Sequence, residues 1–180
     1  NADTELRFNW NAAFAQNPFA DCGIYYGSQF VHKSMDCGQT WEIISPDLTT
    51  DDKEKQAQSK ETGGLTYDQT GAENFTTILA IAPSPVDEDV IWVGTDDGNV
   101  QITRDGGENW TNLASKLSGM PAGSWIPQIE VSAKNAGEAF VVVNDYRRNN
   151  WEPMVFHTTN YGQSFQRIVD EEQVSGYALC

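Results

Sequence analysis

The chain has 180 residues, the length of one domain, with 11 Lys and Arg against 26 Asp and Glu and a net charge of −15. Such a surface repels phosphate, which excludes nucleic acid and anionic lipid membranes as expected partners. Six Trp, six Tyr and eight Phe are too many for a disordered chain, and no apolar run nears the roughly 18 residues of a membrane helix.

From its first residue the chain shows no basic stretch followed by an apolar core, the start expected of a mature or excised product. Strands are predicted at Ala12–Gln16 and Cys22–Gly27, bounded by turn residues. A third strand turns back near Ser28-Gln29 and runs into Ser34, and Trp41–Ile44 makes a fourth. Residues 7–46 form this first unit, and residues 47–74 read as an insertion whose single candidate helix is Thr50–Lys60. The second unit, 75–116, repeats the order with Ile78–Ala82, Asp89–Gly94 and Trp110–Leu113. The third, 122–171, has Ile126–Val131, Glu138–Val143 and Phe165–Val169, and Val174–Cys180 matches the first strand of a fourth unit. Residues 1–180 therefore read as all-β, a β-propeller fragment of three four-stranded blades plus the first strand of another.

The repeat is sharpest between the third and fourth strand of each unit. Ser34, Asp36, Gly38 and Trp41 recur as Thr103, Asp105, Gly107 and Trp110, then as Thr158, Asn160, Gly162 and Phe165. The Asp or Asn can accept hydrogen bonds from the turn's own N–H groups, and the hydroxyl two residues earlier can bond across it. The Gly adopts φ > 0 without a Cβ penalty, and the aromatic residue opens the next strand and packs between sheets.

These turns resemble the Asp-box, or bacterial neuraminidase repeat. It occurs in sialidases, in xyloglucan-degrading glycosidases and in sortilin-type receptor propellers. Phe8-Asn9-Trp10-Asn11-Ala12, Ile44-Ser45-Pro46-Asp47-Leu48-Thr49 and Trp92–Val100 are similar to bacterial sortilin-like and glycosyl-hydrolase repeat proteins, whereas Thr50–Gly71 departs from them. The resemblance implies a propeller blade at each turn and says little about chemistry.

Three blades leave two sheet faces uncovered, so the expected partners are missing blades of the same protein or a second copy completing a six-bladed ring. Counting back along the first hairpin places Cys22 opposite the Met35–Cys37 end of its partner strand. A Cys22–Cys37 disulfide is therefore a candidate against two reduced thiols, and it points to a secreted or periplasmic protein.

In a four-stranded blade the connections between strands two and three and those between blades share one end. Both irregular insertions fall there, 47–74 and Asp145–Pro153. Tyr146, Arg147, Arg148 and Trp151 are candidates to clamp a carboxylate or stack on a sugar; the competing reading is a solvated loop with an Arg–Glu152 pair. Trp10, Thr77 and Trp125 occupy equivalent entry positions of the first strands, and the two Trp are candidates for a carbohydrate platform or for packing. Asp96 and Asp97 with Gln29 are the one candidate calcium set, although Asp-Asp-Gly is first a hairpin turn; no other metal or cofactor is expected. Five dispersed Arg do not suit a sialidase, and His32 and His157 suit structural roles. The expectation is a non-catalytic module for protein or glycan binding; the alternative is part of a sialidase-like or xyloglucanase-like glycoside hydrolase completed by other blades.

Overall fold

The computed structural model describes residues 5–62 and 74–169. The start of a fourth blade at Val174–Cys180, and the remainder of the insertion, lie outside the described residues. Three four-stranded antiparallel sheets form, each a meander whose neighbours in sequence are neighbours in space. The first is β1 (Phe14–Gln16), β2 (Ile24–Gly27), β3 (Val31–Ser34) and β4 (Glu42–Ile43). Helix α1 (Lys53–Thr62) follows, opened by Asp52, whose Oδ1 accepts from the N–H groups of Glu54 and Lys55 at 3.1 Å each. The second sheet is β5 (Ile78–Pro83), β6 (Val90–Thr95), β7 (Val100–Arg104) and β8 (Thr111–Asn112). The third is β9 (Trp125–Val131), β10 (Ala139–Asp145), β11 (Asn150–Thr158) and β12 (Gln166–Val169).

The sheets stack as blades, with β5 packed against both β1 and β9, so the first strands lie together on the inner side. The middle blade is covered on both faces. Ile81, Ile91 and Val93 meet Ala13, Tyr25 and Val31 of the first blade. Ala82, Trp92 and Ile102 meet Ile129, Val141 and Phe156 of the third. That two-sided burial explains why Val90-Ile91-Trp92-Val93 is continuously apolar rather than alternating.

Register refines the repeat. Ser34 pairs with Ile24, Thr103 with Ile91 and Thr158 with Ala139. The third unit is thus shifted by one residue from the expected alignment beginning at Glu138. The fourth strands are shorter than expected, because each Trp or Phe stays in the turn. The insertion expected over Asp145–Pro153 shrinks to one 3-10 turn, Tyr146–Arg148. Asn149 closes that turn in the left-handed region (φ 59°), and Asn150 already pairs with Asp145, so Trp151 and Pro153 belong to β11.

The three corner turns share one hydrogen-bond pattern. Asp36 Oδ1 accepts from the Ser34 hydroxyl and the Thr40 N–H at 2.8 Å each, and Oδ2 accepts from the Thr40 hydroxyl at 2.7 Å. Asp105 accepts in the same way from the Thr103 hydroxyl and from the N–H and side-chain amide of Asn109. Asn160 Oδ1 accepts from the Thr158 hydroxyl and the Ser164 N–H, while its amide donates to the Ser164 hydroxyl. These donors, the Thr40 side chain first, hold the Asp36 carboxyl down at about 2. The Ser or Thr hydroxyl accepts in turn from the N–H of Gly38, Gly107 or Gly162 at 2.9–3.0 Å. The polar residue four positions after the Asp or Asn is therefore part of the motif, which the sequence pattern had left blank.

Cys22 and Cys37 are joined, tying the β1–β2 loop to the first corner turn across a separation of 15 residues. Replacing both by Ser is expected to lower unfolding free energy by about 3 kcal/mol, the loop-closure entropy returned to the unfolded chain. Urea denaturation with and without reductant checks this; coincident curves would remove the bond from the stability of the fold.

Candidate ligand-binding site

The end of the sheets opposite the corner turns carries the inter-blade connections, and hydrogen bonds knit them together. Arg7 bonds Asp47 at 2.6 Å and lies 3.2 Å from Asp51, while its Nε donates to the Thr76 carbonyl. Thr50 donates both its N–H and its hydroxyl to Asp97 Oδ2 at 2.7 Å, and Thr95 donates to Oδ1. Thr77 gives its N–H and hydroxyl to the two oxygens of Asp96 at 2.8 and 2.7 Å. All four carboxylate oxygens are thereby used as acceptors. Gln29, the third member of the calcium set, donates to the Glu5 carbonyl and accepts from Arg7 N–H. Among the described residues no cluster of three or more His, Cys, Asp or Glu forms a metal site.

Asp96 is fully buried, and this, with the neighbouring Asp97 charge, pushes its pKa up to about 8. The Asn9 amide stands beside it, close enough to moderate that rise but outside hydrogen-bond geometry. A carboxyl pair with one raised member is what a glycosidase needs. This pair, however, has 0% and 4% exposure and faces threonine donors rather than a cleft.

One open feature lies on the inner side. A cavity of about 320 Å³ is lined by Asn11 ahead of β1, Leu79 of β5, Trp125 and Pro127 of β9, and Tyr146 and Arg147 of the 3-10 turn. The Arg147 guanidinium lies 3.5 Å from the Trp125 ring centre and 4.8 Å from that of Tyr146. Tyr146 in turn packs on Trp151 at 5.9 Å. Four of the six expected binding residues therefore form one continuous stack. The other two do not join it. Arg148 turns the opposite way, donating to Asp145 at 2.6 Å, to the Ala122 carbonyl at 2.7 Å and to Ser124 at 3.2 Å, which pins the turn to the loop between the second and third blades. Trp10 stands out from the fold at 71% exposure.

Of the remaining Arg side chains, Arg7 and Arg167 are ion-paired, and Arg104 covers the Tyr161 ring. Glu152 pairs with Arg167, not with the 147–148 pair. Arg147 makes no hydrogen bond and has no carboxylate partner among the described residues. His32 bonds the Ser28 hydroxyl at 2.7 Å, at the far end of β3 from the corner turn, and burial keeps its pKa low. His157 lies 3.0 Å from Glu138.

No family model matches the chain, and no curated protein matches it in sequence. Solved structures match it in fold. An ancestral GH74 enzyme superposes with a TM-score of 0.59 at 17% identity, over 92% of this chain and 20% of its own. The GH74 xyloglucanase from Xanthomonas campestris gives 0.57 at 18% identity, over 87% and 23%. YCF48 from Cyanidioschyzon merolae gives 0.53 at 16% identity, over 93% and 38%. All three are β-propellers. The chain has the fold of propeller blades, three of them in its described residues. It spans about a fifth of each GH74 enzyme and under two fifths of YCF48.

Proposed function

We propose that the chain is an Asp-box propeller module of a larger secreted or periplasmic protein, and that it binds a peptide or glycan without catalysis, through a carboxylate held by Arg147. One observation carries this reading. In a chain of charge −15, the Arg147 guanidinium lies 3.5 Å from the Trp125 ring centre at the wall of an inner cavity, with no hydrogen-bond partner among the described residues. Stacking fixes the plane of the fork, so a carboxylate meets two donors without further loss of side-chain freedom. The Cys22–Cys37 disulfide supports an oxidising compartment.

The hydrolase alternative finds less support. No Asp or Glu lines the cavity, and the carboxyl pair with a raised member is buried away from it.

Calorimetry with an oligogalacturonate and an oligoglutamate peptide, against a neutral cello-oligosaccharide, tests the proposal. At least one acidic probe is expected to bind, and Arg147→Ala to weaken it by roughly 10–100-fold, the worth of a hydrogen bond to a charged group. Equal affinity in the variant would overturn the reading, and so would turnover of a xyloglucan or sialyl oligosaccharide by this chain.

A further inference from the structure

The loop that enters the third blade gathers cations. Pro121 to Ser124 form a tight turn, in which the Ser124 N–H and hydroxyl both donate to the Pro121 carbonyl, at 3.2 and 2.7 Å. Gly123 within it takes φ +77°, and a Cβ on the facing Gly98 would stand 2.8 Å from its nitrogen, so the turn is seated closely on the second blade.

Three basic side chains from distant parts of the chain converge on this turn. Arg148 donates to the Ala122 carbonyl and to Ser124. Arg147 lies on Trp125, the next residue. The third is Lys55 of α1. Its Nζ and Arg148 Nη1 lie 3.8 and 3.9 Å from the position a Cβ would take on Gly123, so both nitrogens face one point. The Phe75 ring, 5.1 Å from Nζ, holds the ammonium there.

The rest of the chain makes this grouping unusual. With 26 acids against 11 bases, carboxylate partners abound. Yet neither Lys55 nor Arg147 forms an ion pair among the described residues. Two carboxylates do come near. Asp145 is engaged by Arg148 Nε at 2.6 Å and is 7% exposed. Asp97, next to Gly98, is engaged by Thr50 and Thr95 and is 4% exposed. Both are covered by protein, so the charge presented to solvent along residues 122–125 is positive. Like charges held together repel one another, and an anion placed between them reverses the sign of that interaction.

The Arg147 cavity narrows the choice of anion. At about 320 Å³ it is at the small end of ligand sites, with room for a sugar ring but not for a chain of them. Its other polar lining is Asn11 and Asn144, whose side chains have no hydrogen-bond partner among the described residues. A side-chain amide offers donors and an acceptor together, which matches neighbouring ring hydroxyls. A uronate ring supplies both a carboxylate and hydroxyls. An acidic peptide side chain supplies the first without the second.

We infer that this end of the sheets binds a polyuronate, with one ring in the cavity and its carboxylate on Arg147, and with the carboxylate of a neighbouring ring outside the cavity on Lys55 and Arg148. The second anchor depends on Arg147 acting as proposed above.

Calorimetry with galacturonate, trigalacturonate and triglutamate, on the wild type, Lys55→Gln and Arg147→Ala, tests the second anchor. Lys55 is exposed and Gln suits a helix about as well, so Lys55→Gln is expected to keep the wild-type circular dichroism. At low salt the wild type is expected to bind trigalacturonate about 10-fold more tightly than galacturonate, the gain from one further hydrogen bond to a charged group. Lys55→Gln is expected to remove most of that ratio, and Arg147→Ala to weaken both ligands. Equal affinity for trimer and monomer, with both weakened by Arg147→Ala, overturns the second anchor and leaves the role of Arg147 standing. A ratio that Lys55→Gln leaves at the wild-type value does the same. Tighter binding of triglutamate than of trigalacturonate overturns the polyuronate in favour of an acidic peptide. No binding of any of the three overturns the second anchor and the role of Arg147 together.

Discussion

Replacing Asp96 by Asn is expected to stabilise the protein at pH 8 and to flatten its stability between about pH 4 and pH 8. The wild-type carboxyl is buried beside Asp97, and its pKa stands at about 8 against an ordinary 3.8. Below the ordinary value, folded and unfolded states both hold the proton and the group adds no pH dependence. As pH rises through that value the unfolded chain releases the proton while the folded state keeps it, so stability falls with pH until the folded carboxyl also ionises. Asn reproduces the protonated form. Its oxygen accepts the Thr77 N–H, and its amide donates to the Thr77 hydroxyl, which turns from donor to acceptor as it must toward the protonated acid. Thermal unfolding of both proteins at several pH values decides the matter. A variant with the wild-type slope would mean that Asp96 is not held neutral.

Gly94→Val should damage the fold more than any surface change, by about 3 kcal/mol or more. A Cβ at Gly94 would stand 2.5 Å from Ile126 Cγ2 and 2.8 Å from the Ile126 carbonyl oxygen. The side-chain atom can shift; the carbonyl belongs to β9 and moves only with its strand. Valine therefore separates the second and third blades, whose shared core includes Trp92, Val141 and Phe156. Chemical denaturation measures the loss. A change below about 1 kcal/mol would show that the seam is looser than these distances state.

The three blade units were legible because their corner turns are local. Spacing within a few residues of Asp36, Asp105 and Asn160 dictates which donors reach which acceptors, and counting along one hairpin brings Cys22 and Cys37 close enough to make their disulfide a candidate. The one-residue shift of the third unit was not legible. Which of Val141 and Val142 turns inward is settled by the second blade, not by the flanking sequence. The divergent roles of Arg147 and Arg148 were equally hidden. Adjacent in the chain, they point to partners more than twenty residues upstream, Trp125 for one and Ala122 and Ser124 for the other. The hydrogen bonds that Thr50 and Thr77 give to the Asp96–Asp97 turn were hidden as well, because both residues come from the inter-blade connection.

The corner turns and the disulfide occupy one end of the sheets, and the Arg147 cavity belongs to the other. Closure of the meanders and the proposed recognition therefore draw on separate sets of side chains. Substitutions around the 3-10 turn can alter the cavity while the opposite end goes on holding each meander shut, so the lining is free to diversify without renegotiating the architecture.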